Sequence, residues 1–248
     1  MFDDFGLPII GSALENKPEI PERLKAIRGF LFDVDGTLMN VEERFFYHYN
    51  LNLEAFGISP VARENYEYMR ARGILSQPIP DEGNNRADFW LKFIEDFSYS
   101  DHPELGCPFP GTVETLEWLK NRGYRMAVIT GRTSIADRVG EELELHGIAE
   151  HFEFVLTNRD GVRGMNKAEN LVRGGRLFGL EPSECAYVGD WQGDVESAAE
   201  AGIGLVIAVL TGGESRQALE KFNPDVILES IADIPGFLES FRSGEAPR

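Results

Sequence analysis

Gly29-Phe30-Leu31-Phe32-Asp33-Val34-Asp35-Gly36-Thr37-Leu38 is the stretch that decides the fold. The apolar run Phe30 to Phe32 predicts a strand buried on both faces. Gly36 stops it, because glycine supplies the backbone freedom of a tight turn. Between run and turn stand two acids, Asp33 and Asp35. If strand geometry continues past the run, their side chains alternate in direction and need not share one task.

Downstream of this strand the pattern is helical from Val41 to Ser100. Phe45, Phe46, Tyr49, Leu53 and Phe56 recur at helical spacing, and Gly57 and Pro60 end that element. A second helix is expected over Val61–Arg72, and a third is marked by Phe89, Trp90, Phe93, Ile94 and Phe97. The aromatic stripes read as core packing. The block reads as an all-helical insert.

After Cys107-Pro108-Phe109-Pro110-Gly111 the chain alternates. Helices are expected around Val113–Leu119, Ile135–His146, Asn166–Phe178, Asp194–Ala201 and Glu214–Phe222. Strands are expected at Arg125–Thr130, Phe152–Leu156, Cys185–Gly189, Leu205–Leu210 and Val226–Leu228. Such alternation predicts an α/β fold with a doubly wound, Rossmann-like parallel sheet. Upstream, residues 1–28 read as an N-terminal extension, with a short helix over Pro21–Ile27. The expected organisation is a core of 29–40 and 108–241, a helical insert of 41–107 and a C-terminal tail of 242–248.

Composition narrows the function classes. The 248 residues carry 24 basic and 42 acidic side chains, a formal net charge of −18. Phosphate backbones and anionic membranes select basic surfaces, so no nucleic-acid or membrane partner is expected. The longest apolar stretch, Gly202 to Leu210, is far short of the ~20 residues a bilayer requires. The acidic start Met1-Phe2-Asp3-Asp4-Phe5 lacks the basic character of a secretory signal. The two cysteines, Cys107 and Cys185, read as buried thiols in a reducing cytosol. The expected location is cytoplasmic.

Ligands of such sheets bind at the carboxyl ends of the strands. There the sequence places Asp33 and Asp35, then Thr130-Gly131-Arg132, then Asp190 and Asp194, with Lys167 near the start of a helix. A buried carboxylate without a partner is costly, and acids converging on one crevice repel each other. A divalent cation resolves both problems, and hard oxygen ligands favour magnesium. Thr130 offers a hydroxyl and Gly131 an open backbone N–H to phosphate oxygens. Lys167 offers a point charge. The set suits phosphoryl transfer.

These motifs resemble those of the haloacid dehalogenase-like hydrolase superfamily, within it the phosphoglycolate-phosphatase-like members with a helical cap. Phe30 to Leu38 matches the family's first motif, Ala127 to Arg132 the second and Gly189 to Asp194 the fourth. Pro108 to Leu116 resembles the return from cap to core. The resemblance implies that Asp33 attacks phosphorus and forms an aspartyl-phosphate. It implies that Asp35 protonates the leaving oxygen and then activates water. Asp33, the Asp35 carbonyl and Asp190 would hold Mg²⁺, with Asp194 in direct or indirect support. Thr130, Gly131 and Lys167 would bind the phosphoryl group, with Arg163 a rival to Lys167. The insert would be a mobile cap.

An acid at Asp35 favours phosphate esters or phosphomutases, because an alkoxide leaving group needs a proton. The nearby Asp33 charge is expected to help Asp35 hold that proton. Asp194 is read as a helix cap that also supports the metal, and Trp191 either as a pocket wall or as packing against the insert. Gly73, Arg70, Arg72, Arg86 and Trp90 are the insert residues placed toward a substrate. The leading function is a magnesium-dependent phosphatase acting on a small phosphorylated metabolite, with phosphoglycolate the candidate by analogy. The alternatives are a sugar phosphomutase and a non-enzymatic binding protein on the same scaffold.

Overall fold

The structure, a computed structural model, describes residues 19–159 and 167–241. The arm before residue 19, the tail 242–248 and Arg163 lie outside the described residues.

In chain order the strands are β1 (Gly29–Phe32), β2 (Met39–Asn40), β3 (Cys107–Pro108), β4 (Arg125–Thr130), β5 (Val155–Thr157), β6 (Cys185–Gly189), β7 (Leu205–Val209) and β8 (Val226–Leu228). The helices are α1 (Ile20–Ala26), α2 (Glu42–Ala55), α3 (Arg63–Arg70), α4 (Asn85–Ser98), α5 (Thr112–Asn121), α6 (Ala136–Leu145), α7 (Lys167–Phe178), α8 (Gln192–Glu200), α9 (Arg216–Glu220) and α10 (Ile234–Ser240).

Six strands form one parallel sheet in the order β5-β4-β1-β6-β7-β8. The period of two sorts each strand's side chains onto opposite faces. Phe30, Phe32, Met126, Val128, Ala186 and Val188 enter one apolar cluster with residues of α5, α6 and α10. Leu31, Ala127, Ile129, Cys185 and Tyr187 enter the other with residues of α7 and α8. Helices thus cover both faces, as the continuous apolar strands require. Gly174 permits one close approach: a Cβ there would stand 3.1 Å from Ile129 and 3.2 Å from Leu31. The glycine that lowers helix propensity in α7 lets that helix seat against the sheet.

The strand order reverses beside β1. The chain runs out through β4 and β5, then returns to the other side for β6, β7 and β8. Such a switch opens a crevice at the carboxyl ends of the strands. Phe32 pairs with Val128 on one side and Val188 on the other. That register brings the ends of β1, β4 and β6 to the crevice together.

Between β2 and β3, helices α2, α3 and α4 enclose an aromatic cluster of their own around Tyr49, Tyr66, Phe89 and Phe93. The antiparallel β2–β3 ribbon holds the two ends of this segment side by side. Cys107 is exposed there, contrary to its reading as a buried thiol. It faces Asn40 across the ribbon, on the solvent side of a pair whose Met39 is buried.

Other departures are local. The strand expected over Phe152–Leu156 is Val155–Thr157, although Glu153 N–H still donates to the Met126 carbonyl at 2.8 Å. Leu210 leaves β7 for a tight turn, and α9 is shorter than expected because Ser215 caps it. α10 carried no sequence expectation. α1 is tied to the core, with Arg23 donating to the Gly204 carbonyl at 2.8 Å. Among the described residues, no helix is long and apolar enough to cross a membrane.

Candidate active site

The crevice is a cavity of about 630 Å³ whose wall includes Asp33, Asp35, Thr130, Gly131, Lys167, Asp190 and Asp194. These seven residues, read from the sequence as catalytic, phosphate-binding or metal-binding candidates, therefore share one space. Their arrangement follows from local geometry. Asp33 continues β1, its N–H donating to the Val188 carbonyl at 2.9 Å. Gly36 takes a left-handed φ of 84° and starts the turn back to β2. A Cβ at Gly36 or at Gly212 would run into the Asp190 carboxylate. Two glycines thus form the cradle in which that carboxylate lies, and Thr37 Oγ1 orients it with a 2.8 Å hydrogen bond.

Asp33, Asp190 and Asp194 are buried, and each offers an oxygen within 4.8 Å of the others. Lys167 donates to Asp33 Oδ1 at 2.8 Å and to Asp194 Oδ1. It is a half-buried, ion-paired residue rather than a solvated position on α7. Burial opposes its charge, but Asp194 and Asp33 outweigh burial and raise its pKa well above the usual value. One ammonium does not neutralise three carboxylates. Burial, reinforced by Asp194 and Asp35 against the opposing Lys167, pushes Asp33 up to about 7. Burial first, then Asp194 and Asp33, likewise raise Asp190 well above the carboxylate range. Carboxylates that resist ionisation at neutral pH are short of positive charge. An all-oxygen donor set with such a deficit fits a hard divalent cation of the magnesium type.

Asp194 stands apart from the other two. It occupies the third position of α8, which begins at Gln192, so Trp191 rather than Asp194 is the N-cap residue. Its Oδ2 accepts from the N–H groups of Asp190 and Trp191 at 3.1 and 3.2 Å, and its Oδ1 from Tyr187 at 2.9 Å and from Lys167. These four bonds use the lone-pair sites a carboxylate has. Asp33 and Asp190 keep the freer oxygens.

Asp35 has different neighbours. Arg132 Nε donates to its Oδ2 at 2.7 Å, Arg132 Nη2 reaches Oδ1, and Arg44 Nη2 meets Oδ1 at 3.1 Å. Both arginines also pair with Glu142, Arg132 at 2.6 Å and Arg44 at 2.9 Å. Burial alone would raise the Asp35 pKa, but Arg132 and then Arg44 hold it below the usual range. The expectation that the Asp33 charge keeps Asp35 protonated is corrected: the two guanidiniums outweigh it. Arg44, Arg132 and Glu142 are buried, and Arg44 comes from α2, so this network joins the helical segment to the core.

The sequence reading gave no role to Arg44, Arg132, Glu142, Thr37 or Tyr187. One signal was present for Arg44. Arg44, His48 and Asn52 recur every four residues on α2, and all three are buried. Polar groups at helical spacing beside an apolar stripe require partners.

Of the insert residues placed toward a substrate, Arg70 and Gly73 line the cavity. Arg72 lies over the Tyr68 ring, Arg86 donates to the Ile79 carbonyl and Trp90 to Ser76. Trp191 lines the cavity at 54% exposure, so it is a wall rather than packing. Thr130 Oγ1 accepts from the Arg132 N–H at 3.3 Å, which leaves its hydroxyl proton free to donate.

The chain is similar to a pyrophosphatase PpaX from Oceanobacillus iheyensis, at 28% identity over 84% of this chain and 95% of that one. It is similar at 28% identity to the PpaX of Bacillus velezensis, over 85% and 95% of the two chains. Among solved structures it resembles a predicted phosphoglycolate phosphatase from Haemophilus somnus, with a TM-score of 0.66, 25% identity and coverage of 86% and 98%. A family model described as haloacid dehalogenase-like hydrolase matches residues 30–209. With most of its length matched in this way, the chain belongs to the haloacid dehalogenase-like hydrolases.

Proposed function

We propose that the chain is a magnesium-dependent phosphatase that cleaves a small phosphorylated metabolite through an aspartyl-phosphate on Asp33. The observation that carries this reading is the buried group of Asp33, Asp190 and Asp194 around Lys167, whose negative charge exceeds its positive charge. The names borne by the relatives, pyrophosphatase and phosphoglycolate phosphatase, support the same reaction class.

Asp33, Asp190 and the Asp35 carbonyl would hold the cation, with Asp194 behind them holding Lys167 and the start of α8. The bound cation would supply charge neutralisation of the carboxylates and of the phosphoryl oxygens. Lys167, fixed on Asp33 Oδ1, sets the rotation of that carboxylate. Thr130, Gly131 and Lys167 receive the non-bridging phosphoryl oxygens. Asp33 attacks phosphorus; the bond to the leaving oxygen breaks, and Asp35 delivers a proton to that oxygen. Asp35 then takes a proton from water, the resulting hydroxide attacks phosphorus, and the Asp33 carboxylate is released with inorganic phosphate. Arg132 and Arg44 favour the ionised Asp35 that this second step needs. The first step needs Asp35 protonated. In this reading 29–40 and 108–241 are the core, 41–107 is a cap, and withdrawal of the cap takes Arg44 from Asp35.

Phosphate release from a panel of phosphorylated metabolites, with magnesium and with chelator, tests the reading. Magnesium-dependent release is expected. Release that persists undiminished in chelator rejects it.

A linked prediction concerns stability. Unfolded Asp33 and Asp190 ionise near 4, whereas both native pKa values are raised, that of Asp33 to about 7. Between these limits the native metal-free protein binds more protons than the unfolded one. Its stability therefore falls as pH rises through this window, and the loss is complete above the native pKa values. Magnesium relieves the cost, so it stabilises more at pH 8 than at pH 5. At a hundredfold excess over Kd the gain is about 2.7 kcal/mol. For a chain of this size that is about 5–10 °C in Tm. Thermal unfolding with magnesium or chelator at the two pH values checks it; an equal gain at both contradicts it.

A further inference from the structure

The wall of the active-site cavity also carries aromatic and apolar side chains that the phosphoryl chemistry does not use. We propose that the leaving group is an uncharged, ring-bearing alcohol that lies against Trp191, and not a second anion. The proposal rests on the phosphatase reading and adds the substrate class.

Charge is the first argument. Among the described residues, the cavity wall holds three cationic side chains: Arg70, Arg132 and Lys167. Lys167 is bound to Asp33 and Asp194, and Arg132 to Asp35 and Glu142. Arg70 pairs with Glu42, and its Nη2 donates to the Gly212 carbonyl at 3.1 Å. Glu42 and Glu214 add negative charge to the same wall. Among the described residues, each cationic side chain of this wall already has a carboxylate partner, so a second phosphate or a carboxylate would meet no uncommitted cation there, and its desolvation is costly.

Surface and size are the second argument. Phe45, Leu75, Phe97 and Phe109 line the cavity. Its volume of about 630 Å³ falls in the range that encloses drug-sized ligands, well above what pyrophosphate or glycolate phosphate fills. Together with Trp191 these side chains give part of an otherwise polar wall an apolar surface, which suits a neutral organic group.

The third argument is Trp191 itself. It is 54% exposed and lines the cavity, directly after Asp190 in the chain. The indole lies over the first turn of α8, where a Cβ at Gly193 would stand 2.6 Å from its Nε1. The absence of that Cβ provides the seat. An indole held on a helix turn with its surface in water is a stacking platform for a planar group.

Binding and turnover separate the two readings. Titrations use the Asp33→Asn protein with magnesium, and naphthyl phosphate, pyrophosphate and phosphoglycolate as ligands. Naphthyl phosphate is expected to bind at least about tenfold tighter than either anion. Trp191→Ala in the same background is expected to remove most of that difference, and Trp191→Phe to restore it. Pyrophosphate or phosphoglycolate binding as tightly as naphthyl phosphate overturns the proposal, as does a preference that survives in Trp191→Ala. Turnover by the unsubstituted protein is measured separately. Failure to hydrolyse any phosphate, with the binding preference intact, would remove the phosphatase reading and leave the ring site standing.

Discussion

If Asp33 is the nucleophile as proposed, Asp33→Asn is expected to lower turnover by more than about 10⁴-fold, as removal of enzymatic nucleophiles does. The amide nitrogen and oxygen occupy the space of the carboxylate but cannot form the acyl phosphate. The fold is not expected to suffer. Asp33 is a carboxyl whose ionisation its surroundings oppose, and a neutral side chain ends that opposition. Lys167 loses one partner and keeps Asp194. In metal-free protein at pH 8, the Asn variant should therefore unfold at a temperature equal to or above that of the parent. Phosphate release and rapid-quench labelling with radioactive phosphate check the first part, and thermal unfolding the second. Labelled protein from the Asn variant would reject Asp33 as the nucleophile. A large drop in Tm would show that the carboxylate serves the fold instead.

Arg132→Met has its largest effect on stability. Arg132 is buried between Asp35 and Glu142 and donates to both. Removing it leaves two carboxylates with Arg44 alone. Breaking a buried pair from one side costs about 3–5 kcal/mol, because the remaining charge stays desolvated. In a chain of this length that is roughly 6–20 °C in Tm. Glu142→Gln in the same protein should recover about half of the loss, since it removes one of the stranded charges. Chemical denaturation of the single and double variants measures both effects. A cost under about 1 kcal/mol for Arg132→Met would mean that water reaches the network and screens it.

The core strands were readable because their sequences need no tertiary information. Leu31 and Ile129 fall on one face and Phe30, Phe32 and Val128 on the other whatever packs against them. Asp33, Thr130 and Asp190 were readable for the same reason: each ends or follows a run that can only be a strand, and parallel strands bring their ends level. The misses share another cause. Arg44 is more than eighty residues from Arg132 along the chain, and neither alone announces that both meet Asp35. The state of Asp35 followed from that meeting, so a reading limited to its near neighbour Asp33 gave the wrong sign. Cys107 was misread because burial in a two-residue ribbon depends on which side faces the core. The exposed indole of Trp191 depends on Gly193 two positions later, a relation visible only once α8 is known to begin at Gln192.

The β2–β3 ribbon gives the helical segment adjacent endpoints, which makes it a natural module for transplantation between homologous scaffolds. Arg44 sets a condition on such chimeras. A donor segment without a guanidinium at that place would leave Glu142 and Asp35 to share Arg132, so the recipient would need a compensating change at Glu142. Modularity in the backbone is thus limited by one ionic debt carried across the join.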